Sequence, residues 1–206
     1  MLFATAEEIP LEQRFVEVFS GESSVSNLSE LNPTGLVPTL VDGEFVLTGA
    51  AAILRYLADK TSSPAYPTEP KARARVDEAL DWFQTKLGAD FARGVVYPQA
   101  APDHFCPMLA DPAALAWHRE RSLRWFALLD ANMLREAPYV CGETITLADY
   151  FGATTVSLGE LINFDLTPWP RVAAWMERIK AHTEWGLVNA AFYGWRSVVQ
   201  ETARAA

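Results

Sequence analysis

The 206-residue sequence has only two cysteines, Cys106 and Cys141, and three histidines, His104, His118 and His182. Cysteines that far apart form neither a CxxC redox pair nor a disulfide framework. The histidines show no ligand spacing beyond the bare His104-Phe-Cys106 pattern, so no metal is expected. No GxSxG and no glycine-rich loop occurs, which removes the signals of nucleophilic hydrolases and of phosphate cradles. The N-terminus has neither the basic start nor the long apolar run of a signal peptide. No run of about 18 apolar residues is available to span a membrane. The expected location is the cytoplasm. Basic charge is also scarce, with 17 Lys+Arg against 26 Asp+Glu and a net charge of −9. Such a chain repels phosphate, so neither nucleic acid nor a membrane is an expected partner.

What the sequence does have is material for a core. Half of its residues are hydrophobic and 21% are charged, which excludes disorder as the main state. The length allows one domain or two small ones. The acidity is uneven. Residues 1–66 hold three bases (Arg14, Arg55 and Lys60) against nine acids, a balance of −6, and the rest of the chain carries −3. An anionic ligand of the first part must therefore rely on backbone amides more than on side-chain cations.

The chain changes character near residue 62. Three domain-level segments are expected: a β-α-β-β-α unit over 1–61, a linker over 62–69 and an all-helical unit over 70–206. In the first, residues 1–8 read as the last turns of a helix, and 12–19, rich in Val and Phe, as a strand. A short helix covers 24–31. Two strands, 37–41 and 44–47, meet at Asp42-Gly43, a hairpin signal, and a helix covers 48–60. In the helical unit, Val76, Leu80, Phe83 and Leu87 form one stripe of a helix over 70–87. Residues 91–111, with three prolines, read as an irregular excursion. The helix over 112–134 is apolar on more than one side and is expected to be central. Further helices are expected over 147–164, 168–181 and 184–190.

Four local patterns carry chemistry. Val37-Pro38 puts a proline at a strand start, where it removes a ladder donor. The bond is either cis, exposing the Val37 backbone to a ligand with a peptide backbone, or an ordinary trans bond on an edge strand. Thr146-Leu-Ala-Asp149 reads as a capping box, a folding signal. Trp82, Phe83, Lys86, Phe91, Arg93 and Tyr97 either wall a pocket for an apolar or aromatic substrate or divide between core and solvated surface. Trp185, Phe192, Tyr193 and Trp195 near the C-terminus either lid such a pocket or simply pack, and packing is the preferred reading.

Several of these motifs closely resemble the cytosolic glutathione transferases, nearest to theta-like bacterial members. They are Asn32-Pro-x-Gly-x-Val-Pro-Thr-Leu-x-Asp-Gly43 followed by Phe45-x-Leu-Thr, and Ala52-Ile-Leu-Arg-Tyr-Leu-Ala-Asp-Lys60. To these add Ala72-Arg-Ala-Arg-Val-Asp-Glu-Ala-Leu-Asp-Trp82 and Cys141-Gly-x-x-Ile-Thr-Leu-Ala-Asp-Tyr150. The resemblance implies a thioredoxin-like N-terminal domain, an all-helical C-terminal domain, a homodimer, glutathione as co-substrate and a small-molecule electrophile as substrate.

It also exposes three departures. Met1 falls inside the helix that follows the family's first strand. The loop bearing the family's thiol-activating Ser, Tyr or Cys therefore has no counterpart, and the catalytic residue stays unassigned. Either Met1 is a truncated start or the short form is native. The family's acidic-Ser pair, which fixes the γ-glutamyl end of glutathione, is matched by Gly49 and Ala50. Residues 21–31, where the family often places a base for the glycyl carboxylate, hold Glu22 and Glu30 and no base. The expected cofactor-side residues are thus Val37, Pro38, Gly49 and Ala50, with glutathione binding weak or absent. The expected substrate-side residues are Trp82, Phe83, Lys86, Arg93, Tyr97 and His104. The expected function is a transferase of this type with an impaired glutathione site. The alternatives are a glutathione-independent enzyme using the helical pocket and a non-catalytic binding or scaffold protein.

Overall fold

A computed structural model describes residues 1–16, 26–101 and 111–205. A small sheet unit with helices is followed by a helical domain, the fold class the sequence predicts. Helix α1 (Leu2–Ala6) buries Leu2, Phe3 and Ala4. Helix α2 (Ser26–Leu31) leads into strands β1 (Thr39–Asp42) and β2 (Phe45–Thr48). These pair antiparallel, Thr39 opposite Thr48 and Asp42 opposite Phe45. The hairpin loop is therefore Gly43-Glu44, one residue later than Asp42-Gly43. Gly43 takes φ +61°, the positive φ at the first loop position that a tight antiparallel turn requires.

Among the described residues β1 pairs with β2 alone. The strand expected over 12–19 is not seen at 12–16, and residues 17–19 lie outside the described residues. Helix α3 (Ala50–Thr61) packs Leu57 and Ala58 into the core. Asp42 ties the hairpin to it by accepting from Tyr56 Oη at 2.6 Å and from Lys60 Nζ.

Helix α4 (Pro70–Trp82) starts at Glu69, whose carboxylate accepts from Ala72 N–H at 2.7 Å, with Pro70 in its first turn. Proline costs nothing there because that N–H has no helical partner. The chain then continues helically through a π-helical stretch (Phe83–Val96) and helix α5 (Tyr97–Ala100). This corrects the irregular segment expected over 91–100. Pro98 falls in the first turn of α5, and residues 102–110 lie outside the described residues. Val76, Leu80, Phe83 and Leu87 are all fully buried, as their stripe requires.

Helix α6 (Pro112–Leu128) is capped by Asp111, whose carboxylate accepts from Ala113 N–H at 3.3 Å. It buries Ser122 and Phe126 and leaves Leu123 exposed, so it is amphipathic rather than apolar on several sides. Helix α7 (Leu147–Ser157) opens with the expected capping box, Asp149 Oδ2 accepting from Thr146 N–H at 2.8 Å. Helix α8 (Pro170–Lys180) buries Val172, Trp175, Met176 and Ile179. Helix α9 (Trp185–Val188) is shorter than the 184–190 expected. A further helix, α10 (Ala190–Ala205), follows it. Glu160 holds α10 in place through Arg196 at 2.9 Å and accepts Gln200 Nε2 on its backbone carbonyl at 2.9 Å. The sheet unit is fixed to the helical one by Arg55 Nε, which donates to Asp77 at 2.6 Å.

Candidate functional site

The start of α3 collects all four cofactor-side residues. Val37-Pro38 is a cis bond. Gly49 N–H donates to Pro38 O at 3.3 Å, bringing the two segments together. Val37, Pro38 and Gly49 are exposed and Ala50 is half-buried. The Val37 amide and carbonyl make no hydrogen bond among the described residues, so they are open to a peptide ligand.

Asn32 shapes this loop from beneath. It is buried, and its Nδ2 donates to Leu36 O at 2.7 Å while its Oδ1 accepts from Thr34 N–H at 3.0 Å and Thr34 Oγ1 at 2.8 Å. The sequence shows Asn32 as a motif residue but not as the clamp of the Val37 loop. Asn32→Ala should cost about 1–3 kcal/mol, since it leaves buried groups unpaired. A urea midpoint measured at unchanged m-value checks it.

Among the described residues the site is electrostatically bare. The first turn of α3 carries no acidic residue, and Gly49 offers no side-chain cap. The nearest cations on α3 are occupied elsewhere, Arg55 by Asp77 and Lys60 by Asp42. Space is not the limit, because a Cβ on Gly49 would meet nothing within 4 Å. What remains is backbone: the Val37 peptide groups and the first amides of α3, the end of a helix that favours negative charge.

The substrate-side residues scatter along one helical run. Phe83 is fully buried, between Trp82 at 5.0 Å and Trp175 at 6.2 Å between ring centres. Trp82 is half-buried and meets Trp125 edge to face at 6.3 Å. Lys86 and Arg93 are exposed. Arg93 reaches Gln84 O at 3.5 Å. Tyr97 is half-buried, and burial raises its phenol pKa against the opposing charge of Arg93. His104 lies outside the described residues. Two surface depressions, of about 380 Å³ beside Met133 and Cys141 and of about 580 Å³ along α4 beside Arg75, include none of these residues.

A second polar cluster escaped the sequence reading. Asp90 is buried between the π-helical stretch and α6. Its carboxylate accepts from Arg121 Nε at 2.9 Å and Trp125 Nε1 at 2.7 Å, and lies 2.9 Å from His118 Nδ1. Burial pushes the carboxyl pKa up, but the bonds from Trp125, His118 and Arg121 outweigh it and hold the group below its ordinary value. A carboxylate depressed in the fold contributes stability above its unfolded pKa, and that stability is lost as pH falls through the folded value. Asp90→Asn should therefore be most destabilising above about pH 4 and approach the parent protein only as pH falls further, through the depressed folded value. Urea unfolding across pH 2.5–7, taken as roughly that window, checks this.

Cys141 is not a reactive thiol. Burial pushes its pKa up to about 11, so almost none is thiolate at neutral pH. Cys106 lies outside the described residues.

A hairpin unit with a cis-proline beside an open helix start, followed by a helical domain, is the architecture of thiol-tripeptide transferases. Residues 2–60 match the family model described as glutathione S-transferase, N-terminal domain, and residues 96–182 the one described as glutathione S-transferase, C-terminal domain. The chain belongs to the glutathione S-transferase family. It is 30% identical over 212 residues to glutathione S-transferase theta-2 of Homo sapiens, covering 98% of this chain and 84% of that one. It is 32% identical over 186 residues to glutathione S-transferase theta-3 of Mus musculus, covering 87% and 76%. Among solved structures it is similar to human glutathione transferase theta-2 in complex with glutathione and an unknown ligand, at TM-score 0.82 and 28% identity over 99% of this chain and 84% of that chain. It is also similar to the apo form of human glutathione S-transferase T1-1, at TM-score 0.80 and 29% identity over 97% and 84%. These likenesses support a glutathione-transferase-like function.

Proposed function

We propose that this chain is a glutathione transferase-like protein acting on a small apolar or aromatic electrophile, with a glutathione site that has lost its side-chain grip. In the family reaction the glutathione thiolate attacks an electrophilic carbon and the leaving group departs with the bonding electrons. The helical domain supplies the substrate side: Trp82 and Tyr97 are half-buried faces, Lys86 and Arg93 exposed cations able to meet developing negative charge, and Phe83 packs behind Trp82 in the core. His104, the remaining residue expected on the substrate side, lies outside the described residues.

One observation carries the impairment. Where a carboxylate and a hydroxyl would hold the γ-glutamyl end, the open start of α3 presents Gly49 and Ala50. A charge-assisted hydrogen bond contributes roughly 1.5–3 kcal/mol, so two lost contacts weaken binding about a hundredfold or more. Titration calorimetry with glutathione should give a flat trace up to millimolar ligand. Micromolar binding would overturn the reading.

The same proposal makes the chain a homodimer, supported by the exposed Val41 and Phe45 of the hairpin. Light scattering behind gel filtration should give twice the chain mass. A monomer at micromolar concentration would count against it.

A further inference from the structure

A separate face of the helical domain carries chemistry that glutathione does not use. Helix α6 presents Trp117, His118 and Arg121 together, because residues three and four apart share a helix face. Trp117 is 54% exposed. The Arg121 guanidinium carbon lies 4.5 Å from the Trp117 ring centre and 5.6 Å from that of Trp125. Its Nε is fixed by Asp90, and its two terminal NH₂ groups make no hydrogen bond among the described residues.

The imidazole is held just as firmly. His118 Nδ1 faces the Asp90 carboxylate. An ionised carboxylate only accepts, so Nδ1 carries the proton and Nε2 is the free ring nitrogen. The Trp117 ring stands edge to face against the imidazole at 4.7 Å. On the other side the imidazole rests on Gly94, where a Cβ would come within 2.3 Å of the ring. The position admits a histidine only because residue 94 has no side chain. Arginine fork, imidazole and indole are thus preorganised side by side, and Asp90 fixes two of the three.

We propose that Trp117, His118 and Arg121 form a second ligand site, one that takes small aromatic monocarboxylates. The free NH₂ groups of Arg121 match a carboxylate, the exposed Trp117 indole offers aromatic surface to the ligand's ring, and the His118 imidazole, edge to face with Trp117, walls the site without a hydrogen bond of its own to the carboxylate. A single negative charge is favoured over phosphate for two reasons. Asp90 already balances Arg121, and the chain as a whole carries −9, which penalises each further negative charge.

Benzoate is the test probe, titrated into the whole chain without glutathione and read by the His118 imidazole resonances and by calorimetry. Saturable binding is expected, with acetate (no ring) and benzyl alcohol (no charge) each roughly tenfold weaker or worse. Arg121→Gln and Trp117→Ala should each weaken benzoate by a similar factor. Arg121→Gln also touches the Asp90 cluster, so Trp117→Ala, at an exposed position, is the cleaner variant, its melting temperature serving as the control for folding. The site is refuted if benzoate does not saturate, if acetate or benzyl alcohol binds as well, or if Trp117→Ala binds benzoate like the parent. None of these outcomes depends on the start of α3, so the site stands or falls apart from the glutathione reading.

Discussion

Asp149→Ala should lower the melting temperature by roughly 8–16 °C, a loss of about 4 kcal/mol in a chain of this size. The carboxylate is fully buried and accepts four hydrogen bonds. They come from Thr146 N–H at 2.8 Å, Thr146 Oγ1 at 2.9 Å, Val140 N–H at 2.8 Å and Trp175 Nε1 at 3.0 Å. Three parts of the chain meet there: the loop before α7, the first turn of α7 and the middle of α8. Alanine would strand three buried donors and the half-buried Val140 N–H at once, and each unpaired buried group costs about 1–3 kcal/mol. A cap alone contributes only about 1 kcal/mol. A loss no larger than that, measured by calorimetric melting, would mean that Asp149 is merely a helix cap and not the junction of the helical domain.

The second large effect is a gain. Gly49→Glu combined with Ala50→Ser should tighten glutathione binding about a hundredfold, by restoring one charged and one neutral contact at the α3 start. The same variant should be less stable by about 1–2 kcal/mol, because Gly49 sits at φ +89°, a conformation that an L side chain rarely adopts. Tighter binding with a lower melting temperature is the expected signature, read by calorimetry of binding and of unfolding on one sample. A variant that loses stability and gains no affinity would show that something other than these two side chains limits the site.

Much of the fold was legible because its signals are local. The Val76, Leu80, Phe83 and Leu87 stripe needs only helical spacing, and Thr146 with Asp149 needs only a three-residue interval. The hairpin showed through its turn glycine, although the loop lies one residue later because Gly43 occupies its first position. The extension through residues 91–100 was hidden by residues that usually break helices. Gly94 is there to admit the His118 ring, and Pro98 sits where the π-helical stretch passes into α5. Helix α10 was missed because Glu160, far away in sequence, holds it.

The candidate site divides along the same line. Gly49 and Ala50 could be singled out because a motif surrounds them. Asp90 lies 28 residues from His118 and 35 from Trp125, a separation that no spacing rule connects. Asn32 stood in plain view within a motif, yet its work is done by bonds to Thr34 and Leu36 that only the folded loop reveals.

The most direct test is a crystal structure of this polypeptide grown with glutathione at millimolar concentration. The start of α3 should carry no ordered tripeptide, with the Val37 backbone open to solvent. A tripeptide bound there, its γ-glutamyl end anchored at Gly49 and Ala50 and its sulfur held by a hydrogen-bond donor, would contradict the impaired site outright.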